Sequence, residues 1–419
     1  MLLILDSYFG TIIVYYQTIP LMQGSQCKSY KRDMNKQNEE PISTDHNSTV
    51  LIVNPSSSSG STGKNWNDFY LKVKDFFEEN PEIAFTNKSG DGTTLAREYL
   101  KKGFKNIVAI GGDGTINEVA NGFFLFKSED DDYNKEKSAV VGMGGISNND
   151  ANSDNNNNTT TVATNSTITV PPVLMQINPD AIFGIISSGT RNVLARSLDL
   201  PTGNFECCKH FSTSKMQKKI DVISATVTNF SNDDIKNAYS TLAPARIFLN
   251  AAEIGVAAEI IDRSKKIRDK VHSRIVSTVS SIAATMPTYE SDLCEISIDD
   301  GQENIITKMT MAVIANGKYL GGGLKAAPQA NVSDGLLDIV ILKNSGSFKM
   351  LEEFISMKNG NYTSDDKDII YMKAKKVSIK PKEEEEKKRR DIAVTIDGEP
   401  IGVLPAAFQV YQNALTIKM

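Results

Sequence analysis

The sequence predicts an α/β plus β architecture: a three-layer α/β domain built on a parallel sheet, followed by a mainly antiparallel β-sandwich domain. Two observations lead to this prediction. Short apolar runs alternate with amphipathic helical patterns over residues 49–200, and short β-branched segments replace them over residues 201–419. The length of 419 residues is sufficient for two or three domains. Residues 1–48 form an N-terminal extension in this division.

The α/β half contains four short apolar runs that are typical of buried parallel strands. They are Val50–Val53, Ile83–Thr86, Ile107–Ile110 and Phe183–Ile186. Between these runs, apolar residues recur at spacings of three and four, as on the buried face of a helix. Strands and helices that alternate in this way form βαβ units, and such units build a parallel sheet.

The second half is dominated by segments that favour antiparallel strands. One helical stretch, about Val256–Thr285, interrupts them. The expected strands lie near residues 219–228, 245–253, 293–299, 305–315, 336–342, 375–380, 391–397 and 407–418.

Two segments depart from this pattern. Met1–Met22 is rich in Leu, Ile, Tyr and Val, but Asp6 and Gln17 interrupt it. A membrane anchor needs about 20 consecutive apolar residues, so we favour a packed strand pair or a start codon placed too early. Residues 128–172 are acidic and then dominated by Asn, Thr and Ser. We expect a disordered surface insertion there, because this composition buries too little apolar surface to fold.

Composition argues against several classes of function. Lys and Arg number 46 against 51 Asp and Glu, and the resulting net charge of −5 argues against a nucleic-acid partner. Three His, and four Cys without a C-x-x-C pair, argue against a zinc site. We interpret the cysteines as free thiols of a reducing compartment, so we expect a cytoplasmic protein.

The strongest motif is the loop Gly111-Gly112-Asp113-Gly114-Thr115, which follows a buried strand and begins a helix. Glycines allow a phosphate to approach closely, and amides at a helix N-terminus bind it. A carboxylate repels phosphate, so Asp113 either faces it through Mg²⁺ or bonds backbone amides that hold the loop open. We expect Asp113 in a solvent-facing loop. A tight turn capped by Asp113 is the structural alternative.

Three other loops are expected at the same edge of the sheet, where α/β proteins bind ligands. They begin with Asn54-Pro55, with Thr86, and with the segment from Ser188 to Asn192. Each loop alone is explained as a turn or a helix cap. Together the four loops predict one nucleotide-binding cleft.

The β half adds three motifs. They are Gly321-Gly322-Gly323, the segment from Asn331 to Leu336 with Asp334-Gly335, and Asp397-Gly398-Glu399. An Asp-Gly pair is ordinarily a hairpin turn, and that alternative stays open for both Asp-Gly pairs.

In this order the motifs resemble those of the diacylglycerol kinase catalytic domain family, in its soluble bacterial and archaeal form, which is related to sphingosine and ceramide kinases. The resemblance runs from about Val50 to Ile417. Ser187 and Ala257 depart from the Pro and the Asp that the family often has. The resemblance implies Mg²⁺-dependent phosphoryl transfer from ATP to a lipid hydroxyl, with the lipid met at a membrane surface by peripheral association. A homodimer and the identity of the lipid are left open.

The resemblance also implies roles for individual residues. A structural Mg²⁺ would be held by the Asp334 carboxylate and by Asn331 and Leu336, these two through their backbone carbonyls. The reaction centre would contain Asp113, Asp397 and Glu399, with Glu399 as the general base. If residues 397–399 are extended, the two carboxylates point the same way and raise at least one pKa; which of them is the base stays open. ATP would be held by Asn54, Thr86, Gly111, Gly112, Asp113, Gly114, Thr115, Ile116, Asn117, Gly189, Thr190 and Asn192.

Two rival functions remain. An NAD kinase shares the Gly-Gly-Asp-Gly-Thr loop and the two-domain plan, but Gly189-Thr190 with Asn192 and the late Asp-Gly-Glu fit lipid kinases better. A catalytically silent lipid-binding module has no chemical need for all four carboxylates, which are those of Asp113, Asp334, Asp397 and Glu399.

Overall fold

The computed structural model describes residues 48–77, 79–127, 173–189, 191–228, 244–271, 280–281, 284–285, 288–320, 324–343, 367–383 and 390–419. The predicted insertion, Thr190, Gly321–Gly323 and all but the last residue of the N-terminal extension lie outside these residues.

The strands and helices follow each other in the predicted alternating order. The first half contains strands β1 (Thr49–Val53), β2 (Glu82–Phe85), β3 (Asn106–Gly111), β4 (Phe124–Lys127), β5 (Val173–Gln176) and β6 (Ile182–Ser187). Its helices are α1 (Ser61–Lys64), α2 (Trp66–Val73), α3 (Asp91–Lys101), α4 (Asp113–Gly122), α5 (Val193–Ser197) and α6 (Asn204–Thr213). The second half contains helix α7 (Val256–Val271) and strands β7 (Gln217–Thr228), β8 (Arg246–Phe248), β9 (Ala251–Gly255), β10 (Asp292–Ile298), β11 (Glu303–Ala315), β12 (Leu337–Lys343), β13 (Ile369–Ala374), β14 (Lys376–Pro381), β15 (Ala393–Ile396) and β16 (Glu399–Lys418).

Strands β2, β1, β3 and β6 lie side by side in that order and run parallel. Successive side chains of a strand point to opposite faces, so β1 contributes to two cores. Val50 and Ile52 pack in the cluster that contains residues of α3 and α4. Leu51 and Val53 pack with residues of α2 and α6. The sheet is therefore covered by helices on both faces.

The parallel strands continue without a break into the strand-rich second half. Strand β16 pairs in parallel with β6 and antiparallel with β7, β14 and β15. One sheet of 14 strands results within the described part of the chain. The many antiparallel strands of the second half agree with the prediction, whereas the sheet shared between the halves was not anticipated. Residues Asn47–Met419 form one compact unit.

The loops at the carboxyl ends of β1, β3 and β6 are held against each other by backbone hydrogen bonds. The amide of Asn54 donates to the carbonyl of Ile110 at 2.9 Å, and the amide of Ser188 donates to the carbonyl of Gly111 at 2.9 Å. The parallel pairing therefore places three of the four predicted loops side by side.

Strands β4 and β5 form a separate antiparallel ribbon on either side of residues 128–172. Among the described residues, no helix combines the length and the apolar character that crossing a membrane requires.

Candidate active site

The glycine-rich loop is fixed to its neighbours by packing at Gly111. A Cβ added there would lie 2.5 Å from the Cβ of Thr115, so a side chain does not fit. Thr115 in turn accepts a hydrogen bond from the side-chain amide of Asn54 at 2.9 Å. These two predicted ATP ligands therefore hold the end of β1 against the start of α4.

The loop after β6 approaches the same place through its backbone. A Cβ added at Gly189 would lie 2.8 Å from the Cα of Gly112. The hydroxyls of Ser57 and Ser188 lie 3.0 Å apart and join the loop after β1 to this loop. Helix α4 begins at Asp113, so its N-terminal amides open where the three loops meet. A helix N-terminus in such a setting is a phosphate-binding feature.

Asp113 is partly buried and bonds a backbone amide, which makes the prediction of a solvent-facing side chain wrong. Its Oδ1 accepts a hydrogen bond of 2.8 Å from the amide of Val193, the first residue of α5. Burial raises the pKa of Asp113, while the amide of Val193 and the charge of Arg191 oppose that rise. The structure matches the alternative in which Asp113 bonds amides and holds the loop in shape.

Asp397 and Gly398 form the two-residue turn between β15 and β16, as in the hairpin alternative for this Asp-Gly pair. Their φ angles of 48° and 78° are both positive, as in the tight turns that Asp-Gly pairs favour. Ile396 and Glu399 pair across this hairpin. The two carboxylates therefore do not share one face of an extended strand.

The Asp397 carboxylate joins three elements through four hydrogen bonds. Its Oδ2 accepts from the side chain of Asn117 at 2.8 Å and from the amide of Leu249 at 3.1 Å. Its Oδ1 accepts from the amides of Asn250 at 3.0 Å and Ala251 at 3.1 Å. Burial raises the pKa of Asp397, and these hydrogen bonds oppose the rise.

Glu399 reaches the N-terminus of α4 from the other half of the molecule. A Cβ added at Gly114 would lie 3.3 Å from the Glu399 Oε1. Helix α4 and the start of β16 thus bring the predicted nucleotide loop and the predicted base together. A side chain at position 114 would require this carboxylate to shift by a few tenths of an ångström.

A small pocket under the hairpin turn contains two charged residues that the sequence did not single out as site residues. Arg191 stands in the loop between β6 and α5, and Glu253 stands on β9. The sequence does carry a signal for Glu253, because it is a charged residue within the otherwise apolar run of β9. The pocket is lined by Asp113, Ile116, Arg191, Val193, Leu194, Asn250, Glu253, Asp397 and Gly398.

Glu253 is a buried carboxyl group with an unusual pKa. Its side chain is only 3% exposed, and its Oε2 accepts a hydrogen bond of 2.7 Å from the hydroxyl of Thr395. Burial raises the pKa of Glu253 to about 7, an effect to which Asp397 adds and which Thr395 and Arg191 oppose. Perturbed carboxyl groups in a cleft are typical of functional sites.

The remaining predicted ATP ligands differ in where they lie. Ile116 lines the pocket, and the side chain of Asn117 donates inward to Asp397 and to the carbonyl of Ile247 at 3.1 Å. Thr86 is buried at the end of β2. The Oδ1 of Asn192 is buried and has no hydrogen-bond partner among the described residues, so it is available to a ligand.

The predicted magnesium ligands share one turn, and their only carboxylate, that of Asp334, is paired with a cation in this structure. The Asp334 Oδ2 forms an ion pair of 2.9 Å with Lys373, and its Oδ1 accepts a hydrogen bond from the amide of Leu336 at 3.2 Å. The side-chain oxygen of Asn331 accepts from Ser333. A divalent cation would have to displace the ammonium group from this carboxylate. Within the described residues, no cluster of three His, Cys, Asp or Glu side chains suits a metal ion.

Comparisons with known proteins cover both halves of the chain. The family model of the diacylglycerol kinase catalytic domain matches residues 48–165, and that of the YegS C-terminal NAD kinase beta sandwich-like domain matches residues 251–419. A protein of Chromohalobacter salexigens named "Probable lipid kinase YegS-like" is 23% identical over 65% of this chain and 65% of its own length. The diacylglycerol kinase of Bacillus subtilis is 23% identical over 77% of this chain and 80% of its own.

One solved structure has a similar fold. It is a diacylglycerol kinase from Bacillus anthracis, with a TM-score of 0.55, 21% identity and coverage of 90% of this chain and 98% of that one. At this identity the likeness concerns the fold alone. The two family models match successive parts of the chain, and named relatives cover most of it. The chain is therefore a relative of the diacylglycerol kinases and of other proteins named as lipid kinases.

Proposed function

We propose that the protein transfers the γ-phosphate of ATP to a hydroxyl group of a lipid, with Glu399 as the general base. The observation that carries the proposal is the position of the Glu399 carboxylate, 3.3 Å from where a Cβ at Gly114 would lie. A carboxylate beside a phosphate-binding helix N-terminus is suited to accept the proton of an attacking hydroxyl.

The glycine-rich loop is the proposed site for the phosphates of ATP. Gly112 and Gly189 bring two backbone segments together, and α4 directs its N-terminal amides at the same place. These amides and the helix dipole favour negative charge. Asn192 offers a buried oxygen to a ribose hydroxyl. ATP enters as its magnesium complex, so this Mg²⁺ is part of the substrate.

A wide groove on the other side of the hairpin is the proposed site for the head group of the lipid. Its volume is about 670 Å³. Pro400, which directly follows Glu399, lines it, so the groove and the proposed base share the start of β16. The other lining residues are Ala258, Glu259, Asp262, Arg263 and Lys266 of α7, and Ala393 and Thr395 of β15.

Contact with a membrane surface is part of the proposal. Leu125, Val173 and Met175 of the β4–β5 ribbon are 42%, 58% and 47% exposed. Leu125 pairs with Met175 across the ribbon, and residues 173 and 175 share one face of β5. An exposed apolar face of this kind supports peripheral association.

The proposal keeps the predicted ATP-binding domain over 49–200 and the lipid-kinase domain over 201–419.

The NAD kinase alternative is retained because the second family model is described by its likeness to an NAD kinase β-sandwich.

The deciding experiment incubates purified protein with ATP labelled at the γ-phosphate and with one acceptor at a time. The acceptors are vesicles containing diacylglycerol, vesicles containing sphingosine, vesicles of a total lipid extract, and NAD.

We expect the label in the lipid fraction, and we expect Glu399→Gln to abolish it. Label in NADP would establish the NAD kinase instead. Protein that binds ATP and labels none of the acceptors would establish the silent module.

A further inference from the structure

Arg191 is a cation without a paired anion in the pocket under the hairpin turn. Its side chain is half-buried, and its Nη1 would lie 3.8 Å from a Cβ added at Gly398. Among the residues that the structure describes, the guanidinium forms no hydrogen bond and no ion pair. Among the described residues that line this pocket, it is also the only cationic side chain.

The carboxyl groups around Arg191 are bound by other partners. Asp113 accepts the amide of Val193, Asp397 accepts four hydrogen bonds, and Glu253 accepts the hydroxyl of Thr395. Arg191 acts on two of these groups only through its charge, which opposes the rise that burial causes in the pKa values of Asp113 and Glu253. A partly desolvated charge without a close partner is unfavourable, so an anion from outside the chain is expected at the guanidinium.

We propose that Arg191 binds the phosphoryl group that is transferred. The inference rests on the proposed function. Gly398, which Arg191 approaches, directly precedes Glu399, and the Glu399 carboxylate lies against Gly114 at the start of α4. The cation, the base and the phosphate-binding amides therefore surround one region. A guanidinium suits phosphate oxygens because its donors are planar and paired.

The step itself is a displacement at phosphorus. The lipid oxygen forms a bond to the γ-phosphorus, and the bond from that phosphorus to the bridging oxygen of ADP breaks with its electron pair going to ADP. Glu399 accepts the hydroxyl proton. Arg191 takes part in no bond change, and its charge offsets the negative charge on the phosphoryl oxygens in the transition state.

The test compares Arg191→Ala, Arg191→Gln and Arg191→Lys with Arg196→Ala, a control at an exposed Arg on the neighbouring helix α5. Two sets of quantities are measured: kcat and KM for ATP, and the calorimetric Kd values of ADP and of a non-hydrolysable ATP analogue. We expect Arg191→Ala and Arg191→Gln to lower kcat/KM by about 10²- to 10³-fold. Arg191→Lys should keep only part of the wild-type kcat/KM.

The binding measurements distinguish a phosphate contact from a structural role. A contact to the γ-phosphate predicts that affinity for the analogue falls by about tenfold or more, in line with a lost charge-assisted hydrogen bond, while affinity for ADP stays close to wild type. Equal weakening of both ligands, or no weakening of either, would overturn the proposal. Should Arg191→Ala not fold, Arg191→Gln supplies the same comparison. Wild-type protein that labels no lipid refutes the proposed function alone, because the two Kd values still test Arg191.

Discussion

Asp397 and Glu399 are one residue apart, yet the structure gives them different surroundings. Each oxygen of Asp397 accepts two hydrogen bonds, which connect the hairpin to Asn117 and to the segment from Leu249 to Ala251. A carboxylate so occupied is poorly placed to accept a further proton from a substrate. Glu399 instead faces the glycine at the start of α4. The position of Glu399 beside this helix N-terminus is the reason why we propose it as the base, with Asp397 positioning the turn.

Substitution of each carboxylate should separate these roles. Glu399→Gln is expected to lower kcat by about 10²-fold or more and to leave stability unchanged. Asp397→Asn is expected to lower the free energy of unfolding by about 2–3 kcal/mol, because an NH₂ group would face two hydrogen-bond donors. Kinetics with labelled ATP and urea unfolding measure the two effects. Full kcat in Glu399→Gln, with kcat lost in a stable Asp397→Asn, would reverse the assignment.

Glu253 should make stability depend on pH. Its pKa of about 7 in the folded protein is above the ordinary value of 4.5, so the folded state binds the proton more tightly than the unfolded state. The stabilisation is therefore complete below pH 4.5 and is lost as pH rises through 7. Asp397 and Arg191 face the same carboxyl group and remain unchanged in a Glu253→Gln variant.

Between pH 4.5 and 7, wild type should lose roughly 3 kcal/mol of unfolding free energy relative to Glu253→Gln. Urea unfolding of both proteins at several pH values measures this difference. Parallel pH profiles for the two proteins would show that Glu253 titrates normally.

At the scale of elements, Lys373 joins the turn at residues 331–336 to the pair of strands β12 and β13. It stands directly across from Asp338 in the strand register, and its Nζ lies 3.3 Å from the Asp338 Oδ2 and 2.9 Å from the Asp334 Oδ2. Asp338 is fully buried, and Tyr371 donates a hydrogen bond to it. The ammonium group thus neutralises the carboxylate that the sequence assigned to Mg²⁺.

Removal of divalent metals by EDTA should therefore leave the Tm of the nucleotide-free protein unchanged. Lys373→Met should lower the free energy of unfolding by about 2–3 kcal/mol, because it leaves a buried carboxylate unpaired. Thermal unfolding measures the Tm with and without EDTA, and urea unfolding measures the free energy of unfolding of Lys373→Met. A Tm that falls with EDTA and recovers with Mg²⁺ would restore the predicted metal site.

At the scale of the whole molecule, β16 makes the two halves one cooperative structure. It begins at the proposed base and ends beside β6 in the parallel sheet. Leu415 and Ile417 near its end are fully buried in the same cluster as Val50 and Ile107. The second half therefore completes the core of the first.

The two halves should accordingly unfold together. Trp66, the single Trp of the chain, is buried in α2 and reports on the first half, whereas far-UV circular dichroism reports on all strands. We expect the fluorescence and dichroism transitions in urea to coincide. A fluorescence transition at lower urea concentration would show that the first half unfolds separately.

Much of this architecture follows from patterns that act over a few residues. The runs at Val50–Val53 and Ile107–Ile110 form strands because their apolar side chains can be buried on both faces, and the glycine-rich loop begins a helix as expected. The short ribbon of β4 and β5 was missed, because two strands of four residues beside a polar insertion carry too weak a periodicity.

The sequence by itself determined the order of the elements, the phosphate-binding loop and the family, because hydrophobic period and turn chemistry are local. The tertiary structure alone decided which charges meet. Parallel pairing of β16 with β6 and antiparallel pairing of β9 with β15 place Glu399 at Gly114 and Glu253 beside Thr395. The hydrogen bond from Val193 to Asp113 and the position of Arg191 against the hairpin turn depend on contacts between distant segments. Burial and charge partners set pKa values and ion pairing, and both arise only when the chain is folded.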